Sequence, residues 1–327
     1  MKLIIQIPCF NEAATLPATL ADLPRAVPGF DAVETLVIDD GSRDGTAEVA
    51  RAHGVTHLVR FPANRGLAAT FRAGLDAALA HGADVIVNTD GDNQYPGAAI
   101  AELVRPIVEG RADVTIGVRD MDAIAEFSPL KKRLQRFGSR VVRRFSGLEI
   151  ADATSGFRAF SRRAAARLNV LSRYTYTLET LIQAGRQNLA VVDVPIRANA
   201  ATRASRLIRS NTRYVFRSAI TIVRMFLIYE PLRALGTVAA LLLGAAGLIG
   251  LRFVYFYWTA GGHGHVQSLI LAAILAIIGF QTGVLGVLAD LTAANRRLLE
   301  DLLTRTREQR LDIAGGDAGA PSKSPHD

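Results

Sequence analysis

The chain has 327 residues, half of them hydrophobic, with a formal net charge of +8 and one cysteine. Its pI is about 10.0, and its mean hydropathy of +0.21 is high for a soluble protein. The length allows one large domain and a smaller region. The positive charge favours an anionic partner such as nucleic acid, lipid headgroups or a phosphorylated substrate. The single cysteine excludes an internal disulfide.

The first 120 or so residues alternate between strand-like and helix-like segments. Strands rich in Val and Ile are predicted at KLIIQI, ETLVID, HLVRF, DVIVNTD and DVTIGV. Helices are predicted between them, at EAATLPATLADL, DGTAEVARAH, GLAATFRAGLDAALAHG and GAAIAELVRPIVEG. This alternation predicts an α/β fold with a Rossmann-like, mostly parallel sheet and helices on both of its faces.

Three polar segments, IPCFNE, VIDDGSRDGT and VNTDGDNQ, fall at the ends of predicted strands. Because ligands bind beyond the carboxyl ends of parallel strands, we expect these segments to meet at one edge of the sheet. Asp90 and Asp92, with Gln94 close by, offer the oxygen ligands that Mg²⁺ or Mn²⁺ prefers. A solvated turn uses the same residue types, so this motif alone does not decide between the two interpretations.

The usual phosphate-binding loops are missing from the sequence. No G-x-G-x-x-G follows the first strand and no G-x-x-x-x-G-K-[ST] occurs, which argues against nicotinamide binding and Walker-type ATP hydrolysis. Asp39 and Asp40 are candidates to accept hydrogen bonds from a base or ribose. A metal-bridged diphosphate would instead be gripped by arginines, for which the candidates are Arg119, Arg203 and Arg206.

Residues from about 121 to 232 are strongly basic. Two segments in this region, 129–147 and 206–230, combine apolar residues with Lys or Arg and predict amphipathic helices. A charged face exposed to solvent is one interpretation. Two basic amphipathic helices beside long apolar segments favour another, in which both helices lie on an anionic membrane surface.

Two apolar segments, at about 235–258 and 268–289, each have about the 20 residues that cross a bilayer. The loop between them has no Lys or Arg, whereas arginines flank their outer ends at positions 224, 233, 296 and 297. The positive-inside rule therefore predicts a transmembrane hairpin with both flanks in the cytoplasm.

We therefore expect a multi-pass protein of the inner (cytoplasmic) membrane. Residues 1–232 would form a cytoplasmic catalytic domain, because the first residues do not have the pattern of a signal peptide. Residues 233–290 would form the hairpin. Residues 291–327 would form a charged cytoplasmic helix followed by a small, polar, disordered tail.

Six segments in chain order, IPCFNE, VIDDGSRDGT, TDGDNQYP, GVRD, DATSGFRAF and VPIRANAATRASRL, resemble glycosyltransferase family 2, from residue 2 to about 232. Within the family they are most similar to the dolichyl-phosphate mannose synthase branch, which makes polyprenyl-phosphate sugars. The pair of apolar segments resembles bacterial members with two C-terminal transmembrane helices. The resemblance implies a GT-A fold, a UDP- or GDP-linked sugar donor, Mg²⁺ or Mn²⁺ at the D-x-D motif, and a polyprenyl phosphate acceptor in the membrane.

The resemblance also implies roles for individual residues. Residues implied to bind the nucleotide sugar are Pro8, Phe10 (often Tyr in the family), Glu12, Ile38, Asp40, Arg119, Arg203 and Arg206 (often Lys), and they join Asp39, which is a candidate from its place at a strand end. Asp90 and Asp92 would hold the metal and diphosphate, with Gln94 close to the sugar. Residues implied on the acceptor side are Ser139, Asp152, Ser155 and Arg158, with Arg133 and Arg136 as weaker candidates because Gln135 stands where relatives often have arginine.

This assignment predicts a direct displacement with inversion. A phosphate monoester is already mostly dianionic at neutral pH, so the acceptor needs no strong general base. Asp152 would then orient the reactants or serve at most as an auxiliary base.

A processive polysaccharide synthase is a weaker alternative, because QAGRQN at Gln183 lacks the tryptophan of Q-x-x-R-W. A catalytically silent scaffold would not explain the acidic strand ends, and a nucleic-acid-binding protein would not explain the apolar spans. Association of copies through their hairpins into a homo-oligomer is a further expectation that the sequence leaves open.

Overall fold

The computed structural model describes most of the chain. Its described residues are 1–119, 147–170, 176–197, 199, 224, 227–261 and 266–317, with some side chains towards the C-terminus left out. The chain divides into two compact units, one of residues 1–211 with 303–327 and one of residues 212–302. The basic helices predicted at 129–147 and 206–230 lie almost entirely outside the described residues.

A seven-stranded, mostly parallel sheet forms the centre of the first unit. Its strands are β1 (Lys2–Cys9), β2 (Ala32–Asp39), β3 (His57–Arg60), β4 (Val85–Asn88), β5 (Val114–Arg119), β6 (Arg158–Ser161) and β7 (Val191–Ile196). The spatial order is β3-β2-β1-β4-β6-β5-β7. Strand β6 is antiparallel to both of its neighbours, and every other pairing is parallel. The predicted α/β fold is confirmed.

Helices cover both faces of this sheet. They are α1 (Leu16–Asp22), α2 (Thr46–Ala52), α3 (Leu67–Ala80), α4 (Ala99–Val108), α5 (Arg162–Arg167) and α6 (Thr177–Arg186). Successive side chains of a strand point to opposite faces. Ile4 therefore packs in a buried cluster with Phe71 of α3, whereas Leu3 packs in a second cluster with Leu103 of α4. Burial on both faces explains why these strands read as continuous apolar runs.

Strands β6 and β7 are not among the predicted strands. The short strand β6 begins with Arg158, a residue type that rarely enters a core. Strand β7 contains Asp193 and Pro195, and it lies at an edge of the sheet, where a missing backbone N–H is tolerated. Because β6 runs against its neighbours, the segment that precedes it lies at the carboxyl ends of β4 and β5.

The second unit contains the apolar part of two long helices, α7 (Pro231–Ala260) and α8 (Val266–Asp317). Two stretches, Pro231–Thr259 and Val266–Arg296, are long and apolar enough to cross a membrane, with mean hydropathies of 2.1 and 2.3. Helix α8 runs without interruption from its apolar part through the charged segment as far as Asp317. No Gly or Pro lies between Gly286 and Gly315, so nothing in the sequence stops the helix there.

Glycines of α8 pack closely against α7. A Cβ added at Gly279 would lie 2.9 Å from Leu243 Cγ, and one at Gly286 would lie 3.2 Å from Leu235 Cβ. Without a hydrophobic effect between helices in lipid, small residues allow the close van der Waals packing that holds such helices together. The glycine spacing therefore defines the contact between these two helices.

Candidate active site

The loops that follow β1 and β2 are joined by hydrogen bonds between backbone and side chains. The N–H of Asn11 donates to the Ser42 hydroxyl at 2.9 Å, and the N–H of Glu12 donates to the Thr46 hydroxyl at 3.0 Å. Asn11 itself has a positive φ of 54°, a conformation that asparagine tolerates better than most residues. The two polar segments predicted to converge therefore form one connected surface at the carboxyl edge of the sheet.

Asp39, the last residue of β2, is buried behind a cavity and contacts two of the residues that line it. Its Oδ1 accepts the N–H of Ser42 at 2.9 Å, and its Oδ2 lies 3.2 Å from Arg60 Nε. The cavity of about 370 Å³ is lined by Gly41, Ser42, Arg43, Arg60, Phe61 and Pro62. Sequence analysis missed the residues contributed by β3 and its following loop. The signal was present, because HLVRF is the predicted strand that follows ETLVID along the chain, and consecutive strands usually pair. In the structure they do pair, with Arg60 in register with Asp39.

Asp40 has a different environment from Asp39. Its two carboxylate oxygens accept the backbone N–H groups of Arg65 at 2.7 Å and Gly66 at 2.9 Å. The side chain is buried, and these two hydrogen bonds fix the loop that leads into α3. The structure therefore gives Asp40 a role in shaping the edge of the site, whereas Asp39 contacts the cavity wall.

The other residues implied in the nucleoside pocket divide between interior and surface. Pro8 and Ile38 are buried and face each other in register across β1 and β2. Phe10 is 42 % exposed directly after β1. Glu12 is nearly buried, and the Thr15 hydroxyl lies 2.7 Å from its Oε2 and 2.9 Å from the carbonyl oxygen of Gly91. Thr15 thus joins the loop after β1 to the acidic turn after β4.

The acidic turn with Asp90 and Asp92 follows β4, as predicted. The N–H of Gln94 donates to Asp92 Oδ1 at 3.2 Å. Asn199, from the segment after β7, donates its backbone N–H to the Gln94 carbonyl at 2.9 Å and its side-chain amide to the Asn93 carbonyl at 3.0 Å. The structure therefore brings Asn199, the last described residue before position 224, to the D-x-D turn.

The donor atoms of this turn suit a hard divalent cation. Among the described residues, no three His, Cys, Asp or Glu side chains form a metal-binding group. Mg²⁺ is usually held by one or two carboxylates and completes its coordination with water and substrate phosphates. Asp90 and Asp92 fit that pattern, since they offer two carboxylates one residue apart at the open edge of the sheet.

Arg119 and Asp152 form an ion pair beside this turn. Arg119 Nε donates to Asp152 Oδ2 at 2.9 Å, and the hydroxyl of Thr154 donates to Asp152 Oδ1 at 2.8 Å. Burial works against the charged carboxylate, but Arg119 and Thr154 outweigh it and hold the pKa of Asp152 below its usual value of 3.8. Asp152 is therefore ionised at neutral pH and is a poor proton acceptor, which agrees with an orienting role.

Arg158 and Ser155 lie in the protein interior, and both side chains are inaccessible to solvent. The guanidinium of Arg158 donates to the carbonyls of Ala153, Ser155 and Thr177 and to the hydroxyl of Thr180. These contacts hold the DATSGFR segment in place, and a contact of Arg158 with the acceptor phosphate stays a prediction. Sequence analysis could not separate these two roles, because both use an arginine in a polar segment.

Five of the implied residues, Ser139, Arg133, Arg136, Arg203 and Arg206, lie outside the described residues. Their contacts with acceptor or donor phosphates stay predictions. Two buried tyrosines that the sequence analysis did not single out, Tyr95 and Tyr176, lie close to the acidic turn. Burial, followed by the charge of Asp90, raises the pKa of Tyr95 to about 12, so its hydroxyl stays protonated.

Residues 4–168 match the family described as Glycosyl transferase family 2, and this match covers about half of the chain. The chain belongs to glycosyl transferase family 2. It is therefore a glycosyltransferase, and the resemblance stated from its motifs is confirmed. The matched residues include the acidic turn, the Arg119–Asp152 pair and the loops around Asp39, so the site described above lies within the family's shared region.

Named relatives extend this result. The chain is 28 % identical over 206 residues to an undecaprenyl-phosphate mannosyltransferase of Micrococcus luteus, covering 60 % of this chain and 83 % of that protein. It is also 28 % identical over 330 residues to an undecaprenyl-phosphate 4-deoxy-4-formamido-L-arabinose transferase of Shewanella sediminis, covering 96 % and 93 %. The second alignment spans both long C-terminal helices as well as the sheet.

A solved structure supports the fold. Glucosyl-3-phosphoglycerate synthase from Mycobacterium tuberculosis, in complex with Mn²⁺, uridine diphosphate and glucosyl-3-phosphoglycerate, superimposes with a TM-score of 0.51 at 19 % identity. The match covers 68 % of this chain and 79 % of the synthase. At this level of identity the comparison establishes a shared GT-A-like fold.

Proposed function

We propose that this glycosyltransferase moves a sugar from a UDP- or GDP-linked donor to a polyprenyl phosphate of the undecaprenyl or dolichyl type, with inversion and with a divalent cation. The observation that carries the proposal is the meeting of the acidic turn and the Arg119–Asp152 pair at one sheet edge, in a chain that also has two helices of membrane-spanning length. The relatives named as undecaprenyl-phosphate transferases support the acceptor class.

The cavity beside Asp39 is the proposed nucleobase site. Phe61 and Pro62 offer apolar surface to a planar ring, while Arg43 and Arg60 offer hydrogen-bond donors to its carbonyl groups. Phe10, exposed at the end of β1, is proposed as a further contact of the nucleoside. The solved synthase with Mn²⁺ and uridine diphosphate supports nucleotide use by this fold.

Asp90 and Asp92 are the proposed ligands of Mg²⁺ or Mn²⁺. When bound, the cation would neutralise charge on the departing nucleoside diphosphate. Arg119, Arg203 and Arg206 are proposed to contact the donor phosphates, and Gln94 is proposed to contact the sugar. The pairing with Asp152 holds the Arg119 side chain in one orientation, so less conformational freedom is lost when a phosphate binds.

The acceptor phosphate supplies its own negative charge. Ser139, with Arg133 and Arg136, is proposed to hold it, while the protein positions it for attack on the anomeric carbon. The ionised, paired state of Asp152 supports a reaction in which no strong general base acts. Arg158 and Ser155 contribute by fixing the segment that carries Asp152.

We propose that α7 and α8 anchor the enzyme in the membrane. Residues 1–232 would form the catalytic domain, 233–290 the transmembrane hairpin and 291–327 a cytoplasmic segment. Arg224 and Arg233 before the first span, and Arg296 and Arg297 after the second, support a cytoplasmic position for both flanks. Exposed Tyr255, Tyr257 and Trp258 near the end of α7 suit the opposite membrane interface. Packing between hairpins of different copies could produce a homo-oligomer.

A donor screen tests the proposed function. Purified membranes that contain the protein are incubated with undecaprenyl phosphate and a series of UDP- and GDP-sugars, and the lipid products are identified by mass spectrometry. We expect one lipid-linked monosaccharide, lost when EDTA removes divalent cations and restored by Mg²⁺ or Mn²⁺. A lipid-linked polymer would identify a processive synthase instead, and undiminished transfer in EDTA would refute the cation role.

A further inference from the structure

Gly156, two residues before β6, packs directly against the carboxylate of Asp90. A Cβ at this position would lie 3.2 Å from Asp90 Oδ1 and 3.3 Å from Oδ2. It would also lie 3.1 Å from the Tyr176 hydroxyl. Real Cβ atoms rarely approach other atoms this closely, so any residue other than glycine must displace either the carboxylate or the tyrosine.

Tyr176 is held rigidly on the other side of Gly156. Its ring stacks on Phe71 with a centroid distance of 3.9 Å and an interplanar angle of 5°, and it is 1 % exposed. Its hydroxyl donates to the Gly156 carbonyl at 3.3 Å. Because stacking and burial both restrict the ring, Tyr176 has little room to yield.

Asn88 connects this contact to the strand that carries the acidic turn. It is the last residue of β4, two residues before Asp90, and its side-chain amide donates to the Gly156 carbonyl at 2.8 Å and to the Tyr176 hydroxyl at 2.9 Å. Its side-chain oxygen accepts from Gln6 Nε2 at 2.9 Å. Buried hydrogen bonds through Asn88 thus link β1, β4 and the Gly156 carbonyl.

We infer that Gly156 and Tyr176 are positioning residues that hold the carboxylate oxygens of Asp90 in place to bind a divalent cation. Neither residue donates an oxygen to the cation itself. They act because a cation ligand must be held within a fraction of an ångström, and the groups packed behind it set its position. This inference rests on the proposed function, since it requires that Asp90 binds the cation.

The test measures cation affinity rather than sugar transfer alone. Mn²⁺ is titrated into the detergent-purified full-length protein with uridine diphosphate or guanosine diphosphate equimolar to the protein, and free Mn²⁺ is followed by electron paramagnetic resonance. The same titration without protein corrects for Mn²⁺ bound by the nucleotide alone. We expect Gly156→Ala to weaken Mn²⁺ binding by about 10-fold or more, because groups behind a metal ligand typically contribute 10- to 100-fold to affinity.

Gly29→Ala is the matched control for a general loss of stability. Gly29 has a φ of +89° and precedes β2 at the opposite edge of the sheet, so alanine there strains the backbone away from the site. We expect this variant to lower Tm while Mn²⁺ affinity stays within twofold of wild type. Equal Mn²⁺ affinities in wild type and Gly156→Ala would overturn the inference.

Tyr176→Phe provides a second test that keeps the stacked ring. Removing the hydroxyl leaves the Gly156 carbonyl with Asn88 alone, and we expect Mn²⁺ affinity to fall several-fold while nucleotide affinity without metal is unchanged. If Gly156→Ala does not fold, Tyr176→Phe is the deciding variant. Unchanged Mn²⁺ affinity in Tyr176→Phe would then overturn the inference. Wild-type protein that binds no Mn²⁺ would overturn the cation part of the proposed function as well.

Discussion

Carboxylates at the catalytic edge differ in what their oxygens contact. Both oxygens of Asp40 are taken up by backbone N–H groups, and Asp152 is held by Arg119 and Thr154. Asp92 is only partly buried, and its Oδ1 accepts a hydrogen bond from the backbone N–H of Gln94. Substitutions of these three residues should therefore have different consequences, although all three are aspartates at the same edge of the sheet.

Replacing Asp92 with Asn should abolish sugar transfer without unfolding the protein. The amide keeps the size of the side chain but weakens a charged cation ligand, and a lost cation removes several kcal/mol of transition-state stabilisation, so the rate should fall at least about 100-fold. The measurement is transfer to undecaprenyl phosphate together with Tm. Asp31→Asn, at an exposed ion pair with the N-terminal amine, is the control and should keep full activity. Full activity in Asp92→Asn would refute the cation role of this residue.

Replacing Asp152 with Asn should destabilise the protein at neutral pH and much less in acid. The change leaves the largely buried Arg119 without its counter-charge, which should cost about 3 kcal/mol, or roughly 6–12 °C in Tm. Because the folded pKa of Asp152 lies below 3.8, its stabilising contribution is present above that pH and is lost as the pH falls through the folded value. Tm measured from pH 7 to pH 3 for both proteins should converge only below about pH 4. A constant difference across this range would contradict the ion-pair account.

At the scale of secondary structure, sequence patterns predict the elements whose burial is uniform. Strands β1, β2 and β4 are apolar on both faces, and α3 and α4 carry regularly spaced apolar residues, so their existence follows from composition and period. Strand β6 could not be recognised, because Arg158 becomes a core residue only when three carbonyls and one hydroxyl surround it. That arrangement depends on a helix about 20 residues away and is invisible to local reasoning.

The same distinction applies to the site. The edge of the sheet and its acidic turn follow from the position of polar residues after apolar strands. The cavity walls at Arg60 and Phe61 depend on the register between β2 and β3, consecutive strands that pair in parallel and place Arg60 beside Asp39. The contact between Gly156 and Asp90 needs the reversed direction of β6, which no local pattern indicates.

Replacing Gly279 with Leu should disrupt the contact between α7 and α8. The larger side chain would overlap Leu243, and overpacking of this kind typically costs about 1–3 kcal/mol. The measurement is Tm in detergent, with Gly247→Leu as the control. A Cβ at Gly247 meets no atom within 4 Å, so that variant should be tolerated. Equal Tm values in the two variants would contradict the role of the Gly279 contact.

At the scale of the whole molecule, the described catalytic features and the membrane-length helices belong to different compact units. The acidic turn, the ion pair and the cavity all lie in the first unit, whereas most of α7 and α8 lies in the second. A polyprenyl chain is insoluble in water, so the proposed acceptor reaches the enzyme only within a bilayer. An experiment should therefore separate the sugar-transfer reaction, assigned to the first unit, from access to the acceptor in the membrane, assigned to the second.

A chain that ends at residue 230 should transfer sugar to a short, water-soluble prenyl phosphate at a rate similar to that of the full chain. On undecaprenyl phosphate in vesicles, we expect its rate to fall by about 100-fold, because it no longer shares the two-dimensional environment of its acceptor and its effective concentration falls. Both rates are measured by mass spectrometry of the lipid product. Loss of activity on both acceptors in a folded truncated chain would show that the spans contribute to the active site itself.

The uninterrupted course of α8 has a mechanical consequence. Its 52 residues make a rod of about 78 Å, while the hydrocarbon layer is only about 30 Å thick. In the proposed membrane arrangement, lipids of different chain length would change the tilt of α8, and a stiff helix would carry that change outward. A 10° swing would displace a point 45 Å beyond the membrane by roughly 8 Å. Spin labels at residues 270 and 310, compared in thin and thick bilayers, measure the change in tilt at each position. We expect the same change at both, because α8 is one uninterrupted helix.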